Sequence, residues 1–281
     1  MNQWADLHIH TNFSDSTLSV NDVIKDAHKN GIDCIAISDH DTVAAIALAM
    51  EEARKYEIEV IPAIELSSEL NGRDIHILGY LFDYKSEALV KAISSMQNTR
   101  VERMEKMIAK LNQLFHINNI SLQEVCSIAE TQSVGRPHLA LKLLEKGWVG
   151  NIPEAFNRFI GEHAPAYVPK YKQTPFEAIA LLHQAGGVAV LAHPMVTQVD
   201  ELIPQMVEAG LDGVEVYYPN VSNNITEFYE GIAKKHHLLM TGGSDAHGTA
   251  KVYEYIGIKR IPYSLVEELK KRALRYQRSL S

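Results

Sequence analysis

The sequence has few cysteines, no long apolar run and no excess of positive charge. Its 281 residues include two cysteines, so no disulfide framework is predicted and a reducing, cytoplasmic location is expected. No signal peptide is visible, and no apolar run reaches the roughly 18 residues that can span a membrane. Lys and Arg number 27 against 35 Asp and Glu, for a net charge of −8. Such an acidic balance argues against binding to long duplex nucleic acid, which needs a broad basic surface, but it leaves room for a small local basic pocket.

Short apolar runs instead alternate with amphipathic segments along most of the chain. The runs cover residues 4–10, 33–38, 59–67, 74–82, 187–193, 213–218 and 238–245. Between them, residues 19–31 begin with Ser and end with Gly, and residues 174–187 begin with Thr-Pro and end with Gly-Gly, as capped helices do. Strands that alternate with helices predict an α/β fold with a mostly parallel sheet. Seven such strands favour a closed or nearly closed TIM-like barrel.

One segment lacks this alternation. Residues 84–165 contain no strand pattern, and residues 86–115 predict one long helix or two, followed by shorter helices in 121–130, 136–148 and 152–161. We therefore expect a barrel formed by residues 1–83 and 166–281. Residues 84–165 would be a helical insertion packed on it.

Side chains that can bind metal lie at or near the ends of six of the seven predicted strands. They are His8, His10, Asp15, His40, Glu65, His76, His193, Asp245 and His247. In a parallel barrel the carboxyl ends of the strands meet on one face. Nine such groups gathered there would destabilise the fold unless cations neutralised the carboxylates and bound the imidazole lone pairs. They exceed the needs of one ion and suit two or three divalent ions with open positions for water and substrate.

Another interpretation applies to each histidine taken singly. A buried histidine on a strand is often a hydrogen-bonded core residue, and this alternative is strongest for His76, which lies in the middle of its run. Asp39 and Asp41 suit a supporting role beside the ligands or a helix cap, and Asp41 in particular precedes a predicted helix.

Several of these segments together resemble a known family. DLHIHTNFSD, ISDHDT, IELSS, LAHP and GGSDAHG resemble the PHP (polymerase and histidinol phosphatase) family of metal-dependent phosphoesterases. VGRPHLA and PAYVPK are similar to a bacterial subgroup that includes nucleoside 3′,5′-bisphosphate phosphatases and a 5′→3′ exoribonuclease. The resemblance implies a distorted (β/α)7 barrel with a trinuclear centre of Mn, Zn or Fe.

The resemblance also implies which residues hold each ion. The first ion would be held by His8, His10, Glu65 and Asp245. The second would be held by Glu65, His76 and His193, with Glu65 bridging, and the third by Asp15, His40 and His247.

The sequence has no Ser-His-Asp nucleophile pattern, no reactive-cysteine context and no phosphate-binding P-loop. The hypothesis is therefore hydrolysis by a metal-bound water, with no further catalytic side chain required. His193 or His247 could also protonate a leaving oxygen, but we favour a ligand role for both.

Five cationic or imidazole side chains are candidates for binding substrate phosphate: Arg136, His138, Lys170, Arg100 and Arg103. Arg136 and His138 begin a predicted helix, where backbone N–H groups favour anions. Arg100 and Arg103 are equally well explained as part of a solvated helix face. An insertion above the barrel mouth would favour a small phosphorylated ligand or the end of an oligonucleotide.

These observations leave several functions open. The leading hypothesis is a phosphatase that acts on a nucleotide, such as a nucleoside 3′,5′-bisphosphate. The first alternative is a 5′→3′ exonuclease on short RNA or DNA, which would release mononucleotides without free phosphate. Histidinol-phosphate phosphatase activity is a further alternative, although the insertion and the GRPH stretch argue against it. The last alternative is a metal-loaded binding module without catalysis, but the complete ligand set argues against a loss of catalytic activity.

Overall fold

The fold is built on one curled sheet, seen in a computed structural model that describes residues 3–115, 120–128, 134–169, 173–250 and 255–280. Within these residues the strands are β1 (Trp4–Ile9), β2 (Cys34–Ile37), β3 (Glu59–Leu70), β4 (Arg73–Tyr80), β5 (Val188–Leu191), β6 (Gly213–Tyr217), β7 (Leu239–Gly242) and β8 (Ile261–Pro262). Their order is β7-β6-β5-β4-β3-β2-β1-β8. The chain after β7 bonds to β1, because Asp245 N–H donates to the His8 carbonyl (2.7 Å) and His10 N–H donates to the Ala246 carbonyl (3.1 Å). The sheet is therefore a nearly closed barrel, as the sequence predicts.

Strand β4 departs from the expected parallel direction. It runs antiparallel to both β3 and β5, and β8 runs antiparallel to β1. The reversal occurs at Asn71-Gly72, where both residues have positive φ, as a two-residue hairpin turn requires. His76 pairs with Ser67 near the carboxyl end of β3. The start of β4 thus lies at the barrel end where its neighbours finish, which brings His76 to the mouth from the middle of an apolar run.

Helices surround the sheet and cover the mouth. They are α1 (Val20–Lys29), α2 (Ala44–Ala53), α3 (Glu87–Phe115), α4 (Leu122–Cys126), α5 (Arg136–Glu145), α6 (Ile152–Ala155), α7 (Pro175–Gln184), α8 (Pro194–Thr197), α9 (Ile203–Glu208), α10 (Asn223–His236) and α11 (Tyr263–Leu280). Helices α1 and α7 begin with the capping boxes that their sequences predict, at Ser19 and Thr174. The 86–115 segment forms one helix, not two. None of the described helices is long and apolar enough to cross a membrane.

The interior of the barrel is packed with side chains from alternate strand positions. Leu7 and Val190 belong to this apolar cluster, and helix α11 contributes Val266 and Leu269 to it. Arg272 and Tyr276 of the same helix each donate a hydrogen bond of 2.8 Å to Asp212. Helix α11 is therefore anchored on the barrel.

The helices of the predicted insertion have an apolar cluster of their own. The second half of α3 contributes Met107 and Leu111, α5 contributes Leu139, and Ile160 follows α6. The first half of α3 packs Leu89 and Ile93 into a cluster shared with the barrel strands. The separate cluster therefore begins in the second half of α3. The division at residues 84–165 stays a prediction.

Candidate metal centre

Glu65 lies among five histidine side chains at the mouth of the barrel. Its Oε2 is 3.2 Å from His8 Nε2, 3.1 Å from His10 Nε2 and 3.3 Å from His40 Nδ1. Its Oε1 is 2.7 Å from His76 Nδ1 and 3.0 Å from His193 Nε2. Each carboxylate oxygen therefore faces different imidazoles, which is the arrangement of a carboxylate that bridges two ions.

Two further carboxylates complete the cluster. Asp245 Oδ1 lies 3.4 Å from His8 Nε2 and 3.2 Å from His10 Nε2. Asp15 lies 3.3 Å from His247 Nε2 through Oδ1 and 3.7 Å from His40 Nε2 through Oδ2. All nine residues named from the sequence are thus brought together.

The donor atoms fall into three sets, within each of which they lie no more than 4.8 Å apart. The sets are His8, His10, Glu65 and Asp245; His10, Asp15, His40 and His247; and His40, Glu65 and His76. The first set is the one that the family resemblance implies. The second adds His10 to an implied set, and the third has His40 where His193 was expected. His193 instead approaches the same Glu65 oxygen that His76 approaches.

Burial and mutual contact perturb the titration of the cluster. Burial alone would lower the pKa of His10, but its hydrogen bonds with Asp245 and Glu65 raise it to about 9. Burial lowers the pKa of His40 to about 3. Burial opposes ionisation of Glu65, yet facing His40, His76 and His8 hold its pKa well below the ordinary value. Buried carboxylates that face imidazoles form a donor set that fits divalent cations. Bound cations would replace the protons that the carboxylates favour on these imidazoles.

The backbone is strained at three positions around the cluster. Asp41, His193 and Asp245 have φ of +49°, +26° and +49°, a region that residues other than glycine rarely adopt. Each N–H is held by a hydrogen bond: Asp41 to the Glu65 carbonyl (3.0 Å), Asp245 to the His8 carbonyl (2.7 Å) and His193 to Glu215 Oε2 (2.8 Å). Such strained positions cluster at functional sites.

Strand β6, to which the sequence assigned no metal ligand, and the residue that follows it each supply one group that contacts the cluster. Glu215 is fully buried, and its Oε1 lies 3.0 Å from His8 Nδ1. The Tyr218 hydroxyl donates to Asp245 Oδ2 (2.7 Å). The signal for Glu215 was present, since a glutamate in the middle of an apolar strand has to be paired.

Asp39 and Asp41 both hold loops beside the cluster. The predicted N-cap role of Asp41 is wrong, because α2 begins at Ala44 and its N-cap Val43 makes no side-chain hydrogen bond. The Asp41 carboxylate instead accepts from the Ser67 N–H (2.7 Å) and pairs with Arg100. Asp39 accepts from the Thr11 N–H (2.7 Å) and the Ser14 hydroxyl (2.6 Å), which fixes the loop that carries Asp15.

A cavity of about 160 Å³ lies beside the cluster. Its wall contains Asp15, His40 and His76 from the cluster and Asp74, Arg100, Arg103, Arg136 and His138 from around it. Four of the five predicted phosphate-binding residues thus share one cavity with the candidate ligands. The fifth, Lys170, lies outside the described residues.

Three of these four cavity residues are held in place by contacts with the helical segment and the residues just after it. The Arg136 guanidinium lies 5.6 Å from the ring centre of Phe156 and 5.7 Å from that of Tyr167. Arg103 Nε donates to the Val168 carbonyl (2.7 Å), and burial together with Arg136 lowers its pKa to about 10. His138 is buried and its Nδ1 accepts from the Gly135 N–H (3.0 Å), so it also caps α5.

Comparison with known proteins identifies the family. The model of the PHP domain matches residues 6–162. The chain belongs to the PHP domain family. A 5′-3′ exoribonuclease of Haemophilus influenzae is 31% identical over 252 residues, which are 88% of this chain and 91% of that protein. A 3′,5′-nucleoside bisphosphate phosphatase of Chromobacterium violaceum is 28% identical over 258 residues, with 86% of each protein covered.

A solved structure agrees with the barrel. A proposed metal-dependent phosphoesterase from Bifidobacterium adolescentis superposes with a TM-score of 0.86 at 29% identity, and the match covers 96% of both chains. The expectation of a phosphoesterase on a TIM-like barrel is therefore confirmed, and this PHP protein is a hydrolase of phosphate esters.

Proposed function

We propose that this PHP protein hydrolyses a phosphate monoester of a nucleotide, such as a nucleoside 3′,5′-bisphosphate. The observation that carries the proposal is the common cavity, in which the carboxylate–imidazole cluster meets three arginines. Carboxylates and imidazoles bind divalent ions, whereas arginine matches the oxygens of a phosphate. Neither the cluster nor the arginines alone would favour hydrolysis of a phosphate ester, but their presence in one cavity does.

The metal ligands in this proposal are the nine clustered residues, His8, His10, Asp15, His40, Glu65, His76, His193, Asp245 and His247. Their mixed nitrogen and oxygen donors suit Mn, Zn or Fe, and their number suits two or three ions. When bound, such ions lower the pKa of a coordinated water and stabilise charge on the phosphoryl oxygens.

The remaining site residues bind and orient the substrate. Arg100, Arg103 and Arg136 would direct the phosphate towards the cluster, with His138 beside them and Lys170 as a further candidate. A ligand role suits His247 better than proton donation, because its Nδ1 lies 2.7 Å from the Asp245 carbonyl while Nε2 faces Asp15. The same holds for His193, whose Nε2 faces Glu65.

The size of the cavity favours the end of a substrate. A cavity of about 160 Å³ is smaller than the roughly 300–1,000 Å³ of pockets that enclose a whole small ligand. It would enclose one terminal phosphate and leave the rest of the nucleotide in the opening beneath the helical insertion of residues 84–165. A small phosphorylated molecule or an oligonucleotide end fits this description.

A second candidate function is 5′→3′ exonuclease action on short RNA. It is favoured by the name of the Haemophilus relative, which is more similar in sequence than the Chromobacterium phosphatase. Both reactions would use the same metal-bound water and the same arginines. They differ in the bond that is broken, since the exonuclease cleaves a phosphodiester.

One assay separates these functions. The protein would be supplied in turn with Mn, Zn and Fe(II) and given a nucleoside 3′,5′-bisphosphate, a 5′-phosphorylated RNA of a few nucleotides and histidinol phosphate. We expect inorganic phosphate from the bisphosphate. Mononucleotides from RNA, without free phosphate from any substrate, would instead establish the exonuclease. Turnover of histidinol phosphate alone would contradict both, and no turnover with any metal would favour a binding module.

A further inference from the structure

The Glu215 carboxylate contacts two candidate ligands on two different strands. It lies fully buried on β6, and each of its oxygens has its own partner. Oε1 is 3.0 Å from His8 Nδ1, at the end of β1, and Oε2 accepts from the backbone N–H of His193 (2.8 Å), just beyond β5. Glu215 itself is absent from the three sets of clustered donor atoms.

The contact with His8 decides which ring nitrogen can bind a metal. An ionised carboxylate only accepts hydrogen bonds, so His8 Nδ1 must carry the proton that it shares with Glu215. The lone pair of a neutral His8 is then on Nε2. That atom faces the cluster, 3.2 Å from Glu65 Oε2 and 3.4 Å from Asp245 Oδ1.

The contact with His193 holds a strained backbone. With φ of +26°, His193 lies outside the region that non-glycine residues favour, and a hydrogen bond to a buried charge offsets that cost. The His193 ring is stacked on the His8 ring, with centres 5.7 Å apart, and its Nε2 lies 3.0 Å from Glu65 Oε1. The two ligands are therefore fixed relative to each other through Glu215.

We propose that Glu215 is a positioning residue for the metal centre, which sets the tautomer of His8 and the backbone of His193 without binding an ion itself. The inference rests on the metal centre proposed above. A carboxylate behind a metal-binding histidine is worth about 10- to 100-fold in metal affinity.

The chain offers a matched control three residues earlier. Asp212 is also buried, and it too accepts hydrogen bonds from an imidazole, His183 Nε2 (2.9 Å), and from a backbone N–H of β5, that of Ala189 (3.0 Å). It lies at the opposite end of β6 from the cluster. Losing Asp212 would disturb the same strand without touching a candidate ligand.

The test compares the zinc affinity of wild-type protein, Glu215→Gln and Asp212→Asn, measured by competition with a chromogenic chelator. The glutamine has one accepting and one donating end, so it cannot accept from both His8 Nδ1 and the His193 N–H. We expect Glu215→Gln to bind zinc about 10- to 100-fold more weakly. Asp212→Asn is expected to match wild type in zinc affinity, although it is less stable.

Three results would overturn the inference. Equal zinc affinity in wild type and Glu215→Gln would remove it while leaving the metal centre intact. An equal loss of affinity in both variants would show a general loosening of β6. Absence of zinc binding by wild type would contradict the proposed centre as well.

A measurement on wild type covers the case in which Glu215→Gln does not fold. In zinc-loaded protein with ¹⁵N-labelled histidine, the His8 resonances can be assigned by their loss in His8→Gln. We expect a proton on Nδ1 and a metal-shifted Nε2. A proton on Nε2, or zinc at Nδ1, would refute the role of Glu215.

Discussion

Arg100 on helix α3 forms an ion pair with Asp41, which follows strand β2 at the barrel mouth. The same guanidinium donates to the Ser67 hydroxyl (2.9 Å), and both charged groups are largely buried. Arg100 is therefore a structural link between the helical segment and the barrel as well as part of the cavity wall. Neither a solvated helix face nor a pure substrate contact describes it fully.

Replacing Arg100 should therefore impair stability and substrate binding together. Arg100→Met leaves the Asp41 carboxylate buried without its ion pair, which typically costs about 3–5 kcal/mol. We also expect a higher KM, measured by phosphate release. Arg73→Met is the control, because Arg73 pairs with Glu201 on the exposed surface, where such a pair is worth about 0–1 kcal/mol. Equal losses of stability in Arg100→Met and Arg73→Met would refute the structural role of Arg100.

Arg136 is expected to act mainly in substrate binding. Arg136→Ala should raise KM by about 10- to 100-fold and leave kcat nearly unchanged, because it removes a charge-assisted hydrogen bond made equally in ground and transition states. Arg136→Lys should give an intermediate KM, since lysine keeps the charge but not the planar fork. A fall in kcat with unchanged KM would contradict this assignment.

Asp74 allows a test of whether positive charge at Arg136 attracts the anionic substrate. Its Oδ2 lies 4.0 Å from the Arg136 guanidinium, and it belongs to the cavity wall. Asp74→Asn removes a negative charge that repels an anionic substrate and competes for Arg136. We therefore expect a lower KM at low salt, with a difference that shrinks as salt screens the charge. A raised KM would indicate that Asp74 itself binds the substrate.

His193 tests the ligand set. His193→Ala should abolish turnover and reduce the number of ions bound per chain, measured by elemental analysis and phosphate release. His28→Ala is a suitable control, because His28 lies on α1 against Tyr56, away from the cluster. Wild-type rates in the His193 variant would contradict its place in the centre.

The sequence predicts the cluster better than it predicts the groups around it. Ligands at the ends of parallel strands, such as His8 and His193, follow from a simple rule about barrels. His76 was included with them although it lies in the middle of its run, and it reaches the mouth because β4 runs antiparallel. Glu215 was missed because its partners come from distant strands. Of the two roles expected for Asp41, the supporting role holds and the cap does not, because its carboxylate pairs with a helix residue 59 positions away.

Asp212 should give the protein an acid-sensitive part of its stability. Burial alone would raise its pKa, but hydrogen bonds from His183, Ala189, Arg272 and Tyr276 lower it. Because the folded pKa lies below the unfolded value of about 3.9, this contribution is complete above that pH and is lost as pH falls through the folded pKa. Asp212→Asn should therefore be less stable by about 3 kcal/mol near neutral pH.

The measurement for Asp212 is the free energy of unfolding in urea at several pH values. The gap between wild type and Asp212→Asn is expected to narrow as pH is lowered below about 4. A gap that stays constant with pH would contradict the role of the ionised carboxylate.

The central claim, that divalent ions gather around Glu65, is tested most directly by removing and restoring metal. Protein stripped with a chelator would be titrated with Mn or Zn while bound ions and phosphate release are followed together. We predict two or three ions per chain and turnover that rises with their binding, with both lost in Glu65→Ala. Undiminished phosphate release from fully stripped protein would contradict the account.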